Sequence, residues 1–181
     1  MSAALVLMCG LAFSGKTTVA RTIAQTLDAV LVSLDDINDE RGLWGGHGLP
    51  VEEWRRTHEV ARTRLGFALA ADQAVVIDDT SNLRLLRDGY RALADAYDAP
   101  FILVFVNTPL EDIRERRAEA STSGDRRSVD GAVFAEHAAS FEEPQSDELA
   151  LLHRPGDSLD GLLSDLREIL AGRVADRSST E

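Results

Sequence analysis

The sequence predicts an α/β fold in which a parallel five-stranded sheet is covered by helices on both faces. Three observations predict it. Short apolar runs alternate with longer stretches of helical periodicity, the order that builds parallel β-α-β units. The apolar runs are continuous rather than alternating, as strands buried on both faces are. Aspartates follow two of the runs directly, at Asp35-Asp36 and Asp78-Asp79, so they stand at the carboxyl ends of strands, where such sheets bind ligands.

In order, Ala3 to Cys9 is the first strand, and Thr17 to Leu27 the first helix, with Val19, Ile23 and Leu27 four apart. Ala29 to Ser33 is the second strand. Asn38 to Pro50, with four glycines and a proline, reads as a loop. Val51 to Ala71 is a long helix charged on one side, and Ala74 to Ile77 the third strand. Leu83 to Tyr97 places Leu86, Tyr90, Leu93 and Tyr97 on one helix face. Phe101 to Val106 is the clearest strand. Leu110 to Ala120 is an arginine-rich helix, followed by a polar, flexible stretch from Ser121 to Ser128. Gly131 to Phe141 reads as a helix, Leu149 to Leu152 as a weak fifth strand and Leu159 to Leu170 as a last helix. One domain is expected over residues 1–172, with a lid around 114–130 and a frayed polar tail at 173–181.

The chain has 181 residues and a formal net charge of -12, which disfavours binding to nucleic acid in bulk or to an anionic membrane. No apolar stretch is long enough to span a bilayer. The apolar start lacks a basic region and runs straight on, so export is not expected. Cys9 is the only cysteine, so an intrachain disulfide is excluded and a cytoplasmic setting is expected. It ends an apolar strand and reads as a buried small hydrophobe.

Lys16 is the only lysine among 19 lysine and arginine residues. It stands in Gly10-Leu11-Ala12-Phe13-Ser14-Gly15-Lys16-Thr17, which fits G-x-x-x-x-G-K-[ST], the phosphate-binding loop. A compact ammonium reaches β- and γ-phosphate oxygens, and a planar guanidinium does not replace it. The motif has its strand before it and its helix after it. Gly10 and Gly15 permit backbone geometry that a side chain would block. Ala12, Phe13, Ser14, Lys16 and Thr18 complete the nucleotide cradle at the positive end of the helix. Thr17 supplies a hydroxyl for Mg²⁺. The fold expected is therefore the three-layer P-loop NTPase fold, with ATP and Mg²⁺ as cofactors.

Asp35 can accept the proton of an acceptor hydroxyl as that oxygen attacks the γ-phosphate, and Asp36 stands beside it. Capping of the next segment by Asp36 is the plainer alternative. Asp78 and Asp79 close a Walker-B-like strand, where one carboxylate organises Mg²⁺. Alternation along the strand does not fix which of the two faces the metal; Asp78 is the candidate, and capping of the next helix by these aspartates, Thr80, Ser81 or Asn82 competes for this stretch. Arg116, Arg126 and Arg127 are candidates to close over the transferring phosphoryl group, with Arg114 and Arg117 structural. Trp44 sits in a glycine-rich loop and serves an acceptor pocket or anchors to the core. No histidine pair has metal-ligand spacing.

These residues together resemble P-loop kinases of the polynucleotide-kinase-like group, which also contains small-molecule phosphotransferases. The resemblance covers roughly the first 145 residues. It is carried by Gly10 to Thr17, Leu34-Asp35-Asp36, Val76-Ile77-Asp78-Asp79-Thr80-Ser81-Asn82 with Arg87, Thr108-Pro109-Leu110, Arg116, and Phe141-Glu142-Glu143-Pro144. It implies an adenylate-kinase-like core and transfer of the γ-phosphoryl of Mg-ATP to an alcohol, with Asp35 as base. It also implies Asp79, Thr80 and Arg87 near the acceptor. Two departures remove cation from that side. Asn38 stands where the polynucleotide kinases carry an arginine, and Ala120 where a lid arginine is expected. The acceptor implied is a small, less anionic molecule: a metabolite, a nucleoside or an antibiotic. A polynucleotide 5′-hydroxyl kinase and a regulator that binds ATP without transferring it are the alternatives. A GTPase is disfavoured, because no Asn-Lys-x-Asp segment follows Asp39-Glu40-Arg41-Gly42.

Overall fold

The computed structural model describes residues 2–43, 49–123 and 131–178. The elements run β1 (Ala4–Cys9), α1 (Lys16–Leu27), β2 (Val30–Ser33), α2 (Leu34–Glu40), α3 (Val51–Ala70) and β3 (Ala74–Asp78). They continue with α4 (Arg84–Ala96), β4 (Phe101–Val106), α5 (Leu110–Ser123), α6 (Gly131–Ala139), β5 (Leu151–His153) and α7 (Leu159–Ser178). The strands form one parallel five-stranded sheet in the order β2-β3-β1-β4-β5.

The apolar runs do not alternate in polarity because each strand feeds two cores. From β1, Leu5, Leu7 and Cys9 face one core, which contains Leu65 and Leu69 of α3 and Tyr90 and Ala94 of α4. Ala4, Val6 and Met8 face the other, with Val19, Ile23 and Leu27 of α1 and Leu162 and Leu166 of α7. The helical periodicity at positions 19, 23 and 27 is thus the stripe that α1 lays on the sheet.

Three expectations are corrected. The loop expected from Asn38 starts later, because Leu34–Glu40 is helical. Its N-cap is Ser33, whose Oγ accepts from Asp36 N at 3.2 Å, so Asp36 is the capped residue and not the cap. The expected arginine-rich helix extends to Ser123, into the stretch read as flexible. The last helix, expected over Leu159 to Leu170, runs to Ser178. Of the expected lid, residues 124–130 lie outside the described residues, as do Trp44 and the rest of 44–48.

The order β2-β3-β1 is what assembles the site. It sets β3 between the strand that feeds the phosphate loop and the strand that ends at Ser33, two residues before Asp35. Ser33 pairs in register with Asp78, so the carboxyl ends of β2 and β3 lie side by side.

Candidate nucleotide and phosphoryl-transfer site

The phosphate loop turns between β1 and α1 on backbone conformations that its residues were chosen for. Gly10 has φ +148°, and a Cβ there would lie 2.6 Å from Val106 O. Gly15 caps α1 at φ +99°. Phe13, at φ +65°, is a non-glycine residue in the left-handed region, a strained conformation that persists only where its surroundings hold it. The loop is tied down through its main chain. Gly10 N–H donates to Thr80 O at 3.1 Å, and Ser14 O accepts from Thr108 Oγ1 at 2.8 Å and Arg116 Nη1 at 3.0 Å. A planar trans peptide turns the N–H of Gly15 away from those two donors.

Lys16 is 8% exposed, and its Nζ folds back to donate to Leu11 O at 2.8 Å, over the loop. Burial lowers its pKa, opposed by the charges of Asp78, Asp79 and Asp35. Ser14 Oγ is buried without a hydrogen-bond partner among the described residues, a polar atom that a phosphate oxygen in this loop would satisfy.

Three carboxylates share the cleft with that one ammonium. Asp78 is 8% exposed, and burial raises its pKa against the opposing influences of Lys16 and a hydrogen bond with Thr17. Asp35 sits exposed in the first turn of α2, and the partial desolvation of its carboxyl by the cleft wall, followed by the charge of Asp78, raises its pKa as well. Asp79 Oδ2 accepts from both Ser81 N and Ser81 Oγ at 3.0 Å. One ammonium facing three carboxylates leaves the cleft short of cation, and the neighbouring carboxylates add to the effect of burial on Asp35 and Asp78.

That imbalance fits a divalent cation. Thr17 and Asp78 already meet, and Mg²⁺ is ordinarily held by one or two protein oxygens together with phosphates and waters. Among the described residues no group of three or more His, Cys, Asp or Glu side chains could cage a metal alone.

The structure thus brings together Gly10, Ala12, Phe13, Ser14, Gly15, Lys16, Thr17 and Thr18 with Asp35, Asp78, Asp79, Thr80 and Arg116. Asp35 and Asp36 are both exposed. Arg126, Arg127 and Trp44 lie outside the described residues. Arg116 reaches the phosphate loop, where Nη1 lies 3.4 Å from Phe13 O in addition to its Ser14 contact.

Arg87 is a correction. Read as an acceptor contact, it is 2% exposed and paired with Glu148, Nε to Oε1 at 2.6 Å. Its Nη1 also donates to Ser81 O and Glu142 O, each at 2.9 Å. A guanidinium so enclosed has no face for a substrate. The α4 N-terminus is capped neither by Asp78 and Asp79 nor by Thr80, Ser81 or Asn82. Glu142 Oε2 accepts from Arg84 N at 2.6 Å, a cap supplied from 58 residues away.

Sequence reasoning missed Ser81 and Glu148, and it missed the role of Asn38. Asn38 is fully buried, and its Oδ1 accepts from Thr57 Oγ1 at 2.6 Å, so this position faces α3. The spacing of Asn38 three residues after Asp35 was visible. Its burial against Thr57 was not, because no local signal links α2 to α3.

Residues 5–144 match the AAA domain family. A KTI12 homolog of rice (Oryza sativa subsp. indica) is 26% identical over 145 residues, 78% of this chain and 48% of that protein. The chain spans about half the length of the curated relatives it matches. Among solved structures, Kti12 of Chaetomium thermophilum in complex with ADP-AlF3 superposes with a TM-score of 0.72 at 18% identity, over 92% of this chain and 98% of that one. The Mycobacterium tuberculosis APS kinase in complex with AMPPNP and APS superposes with a TM-score of 0.64 at 20% identity, over 94% and 98%. These likenesses show a P-loop kinase fold. No described helix is long and apolar enough to cross a membrane.

Proposed function

This chain belongs to the AAA domain family, and from that premise we propose that it is a phosphotransferase moving the γ-phosphoryl of Mg-ATP to a hydroxyl of a small-molecule acceptor. The observation that carries the reading is the different state of the three carboxylates. Asp78 is engaged with Thr17, and Asp79 with Ser81. Asp35 is exposed at the cleft with no hydrogen-bond partner among the described residues, which supports its reading as the carboxylate that takes the proton.

In this reading, Asp35 accepts the acceptor's hydroxyl proton as that oxygen bonds to the γ-phosphorus. The bond from phosphorus to the β,γ-bridging oxygen breaks, and ADP leaves. Lys16 faces the β- and γ-phosphates, and Arg116 stands at the rim of the same loop to neutralise charge on the transferring group. Thr17 and Asp78 would hold Mg²⁺, which neutralises phosphate charge and orients the chain of phosphates. A small acceptor is favoured by the net charge of -12 and by Asn38, whose buried amide leaves no cation three residues after the base. The setting we propose is the cytoplasm, where a lone cysteine such as Cys9 stays reduced.

A second reading is supported by the curated relatives, which are KTI12 homologs. The chain would then bind and turn over ATP as a regulator, without a dedicated acceptor.

The test is product detection by mass spectrometry with Mg-ATP and two pools, hydroxylated metabolites and antibiotics in one and 5′-hydroxyl oligonucleotides in the other. The expected result is a phosphorylated small molecule, lost by about 10²–10³-fold in Lys16→Ala and by about 10²–10⁴-fold in Asp35→Asn. A phosphorylated oligonucleotide would replace the small acceptor with a nucleic-acid end. Slow release of phosphate with neither pool modified would favour the regulator.

A further inference from the structure

Arg87 joins three segments through one guanidinium. Nε and Nη2 donate to the two carboxylate oxygens of Glu148 at 2.6 and 3.0 Å, with both side chains 2% exposed. Nη1 donates to Ser81 O in the turn after β3 and to Glu142 O in the chain returning from α6. As a stabilising device a buried ion pair is poor, since well-packed apolar residues of similar volume often do as well or better. What the pair supplies is direction, because a planar fork with fixed donors sets the angle and distance of everything it touches.

The turn that it holds carries the site. Ser81 is fully buried with φ +46°, a left-handed conformation that a serine keeps only under constraint. Its N–H and hydroxyl orient Asp79, and its carbonyl accepts from Arg87 and from the Cys9 thiol at 3.5 Å. The preceding residue, Thr80, accepts from Gly10 N–H of the phosphate loop. On the other side, Glu142 N–H donates to Asn82 O at 2.8 Å, and Arg91 Nη2 donates to Glu148 O at 3.1 Å. The return from α6 and the Asp79 turn are therefore tied to one another and, through Thr80 O, to the phosphate loop.

We propose that Arg87 and Glu148 are positioning residues of the phosphoryl-transfer site: the pair sets the register of the Asp79–Ser81 turn against the phosphate loop. The proposal rests on the nucleotide half of the reading above and is independent of the acceptor. Lysine at position 87 keeps the charge but has no fork that engages a carboxylate and two carbonyls in fixed directions.

Three variants of the full chain test this: Arg87→Lys, Glu148→Gln and the apolar pair Arg87→Met with Glu148→Leu. Each is measured for melting temperature, for the backbone amide resonances of Gly10 and Ser81, and for affinity toward Mg-ADP with and without aluminium fluoride. The apolar pair is expected to keep the melting temperature near that of the wild type. It is also expected to shift both amide resonances and to weaken the Mg-ADP-aluminium fluoride complex by about tenfold or more, with Mg-ADP alone changed by less than about threefold. A melting temperature, amide resonances and affinities all like the wild type would make the pair merely structural and overturn the proposal. If the apolar pair does not fold, wild-type resonances and affinities in both Arg87→Lys and Glu148→Gln overturn it equally. Displaced amides and lost affinity in a protein that phosphorylates neither acceptor pool would sink the phosphotransferase reading and leave the positioning role standing.

Discussion

The nucleotide side of the cleft is built from main chain, and the side toward α2 and α3, the acceptor side of the proposed function, from side chains. On the nucleotide side, Gly10, Phe13 and Gly15 hold positive φ within one short loop, and its fastening points are the Gly10 amide and the Ser14 carbonyl. On the acceptor side, α2 is held to α3 by Thr57 Oγ1, which reaches Asn38 Oδ1, and by Arg41, which donates to Glu53 O at 2.9 Å and pairs with the Glu53 carboxylate. These partners stand 12 to 19 residues apart. Thr57 has one proton and two acceptors in reach, Asn38 Oδ1 at 2.6 Å and Glu53 O at 3.1 Å. Asn38 Nδ2 is buried without a partner among the described residues. The frame of a backbone-built loop is intolerant of an added Cβ. A side-chain network can be re-tuned one residue at a time.

The largest expected effect breaks the nucleotide half alone. Gly10→Ala forces a positive φ on alanine and drives its Cβ toward Val106 O, at a cost of about 3 kcal/mol. Denaturant unfolding should show that loss together with weakened nucleotide binding, and wild-type stability would mean that the loop is not packed on β4 as described. Thr57→Val tests the other half. It strips Asn38 and Arg41 of a partner and should cost about 1–3 kcal/mol. The affinity for Mg-ADP should stay within about twofold, as expected for independent sites. A drop in nucleotide affinity like that of Gly10→Ala would show that the two halves are not separable.

The smallest effect sharpens the comparison through charge. Asp78 has a folded-state pKa above its unfolded one, so the folded protein binds this proton more tightly. Its contribution to stability is present at acid pH, below the unfolded pKa, and is lost as pH rises through the folded pKa. Asp78→Asn should therefore stabilise the ligand-free protein at neutral pH by about 1 kcal/mol while weakening Mg-nucleotide binding. The stability gain should close as pH falls through the raised pKa. Chemical denaturation across that range checks it, and a gain independent of pH would mean that burial of the Asp78 charge is not its origin.

Much of the sheet and the whole phosphate loop were legible from local pattern. The continuous apolar runs correspond to β1, β2, β3 and β4, and the periodicity over positions 19, 23 and 27 matches the stripe of α1 on the sheet. The second helix was illegible because Leu34–Glu40 is only 7 residues long and rich in aspartate. Ser33 caps it, and the burial of Leu34 and Ile37 holds it against the core. Arg87 was misassigned because a motif position carries no information about what is packed beside it. Glu148, its partner, is 61 residues away.

By itself the sequence determined the loop from Gly10 to Thr17, the strands on either side of the cleft and the aspartates that end them. Each of these follows from residues adjacent in the chain, where steric limits on φ and the period of burial act directly. Only the tertiary structure decided that β3 lies between β2 and β1 and that Ser33 meets Asp78 in register. It also decided that Asp78 turns to Thr17 while Asp79 turns to Ser81. Alternation along one strand says which side chains share a face, but strand order and the packing of distant segments set what that face meets. The raised pKa of Asp35, from desolvation in the cleft and then from the charge of Asp78, is a property of that assembly rather than of any stretch of sequence.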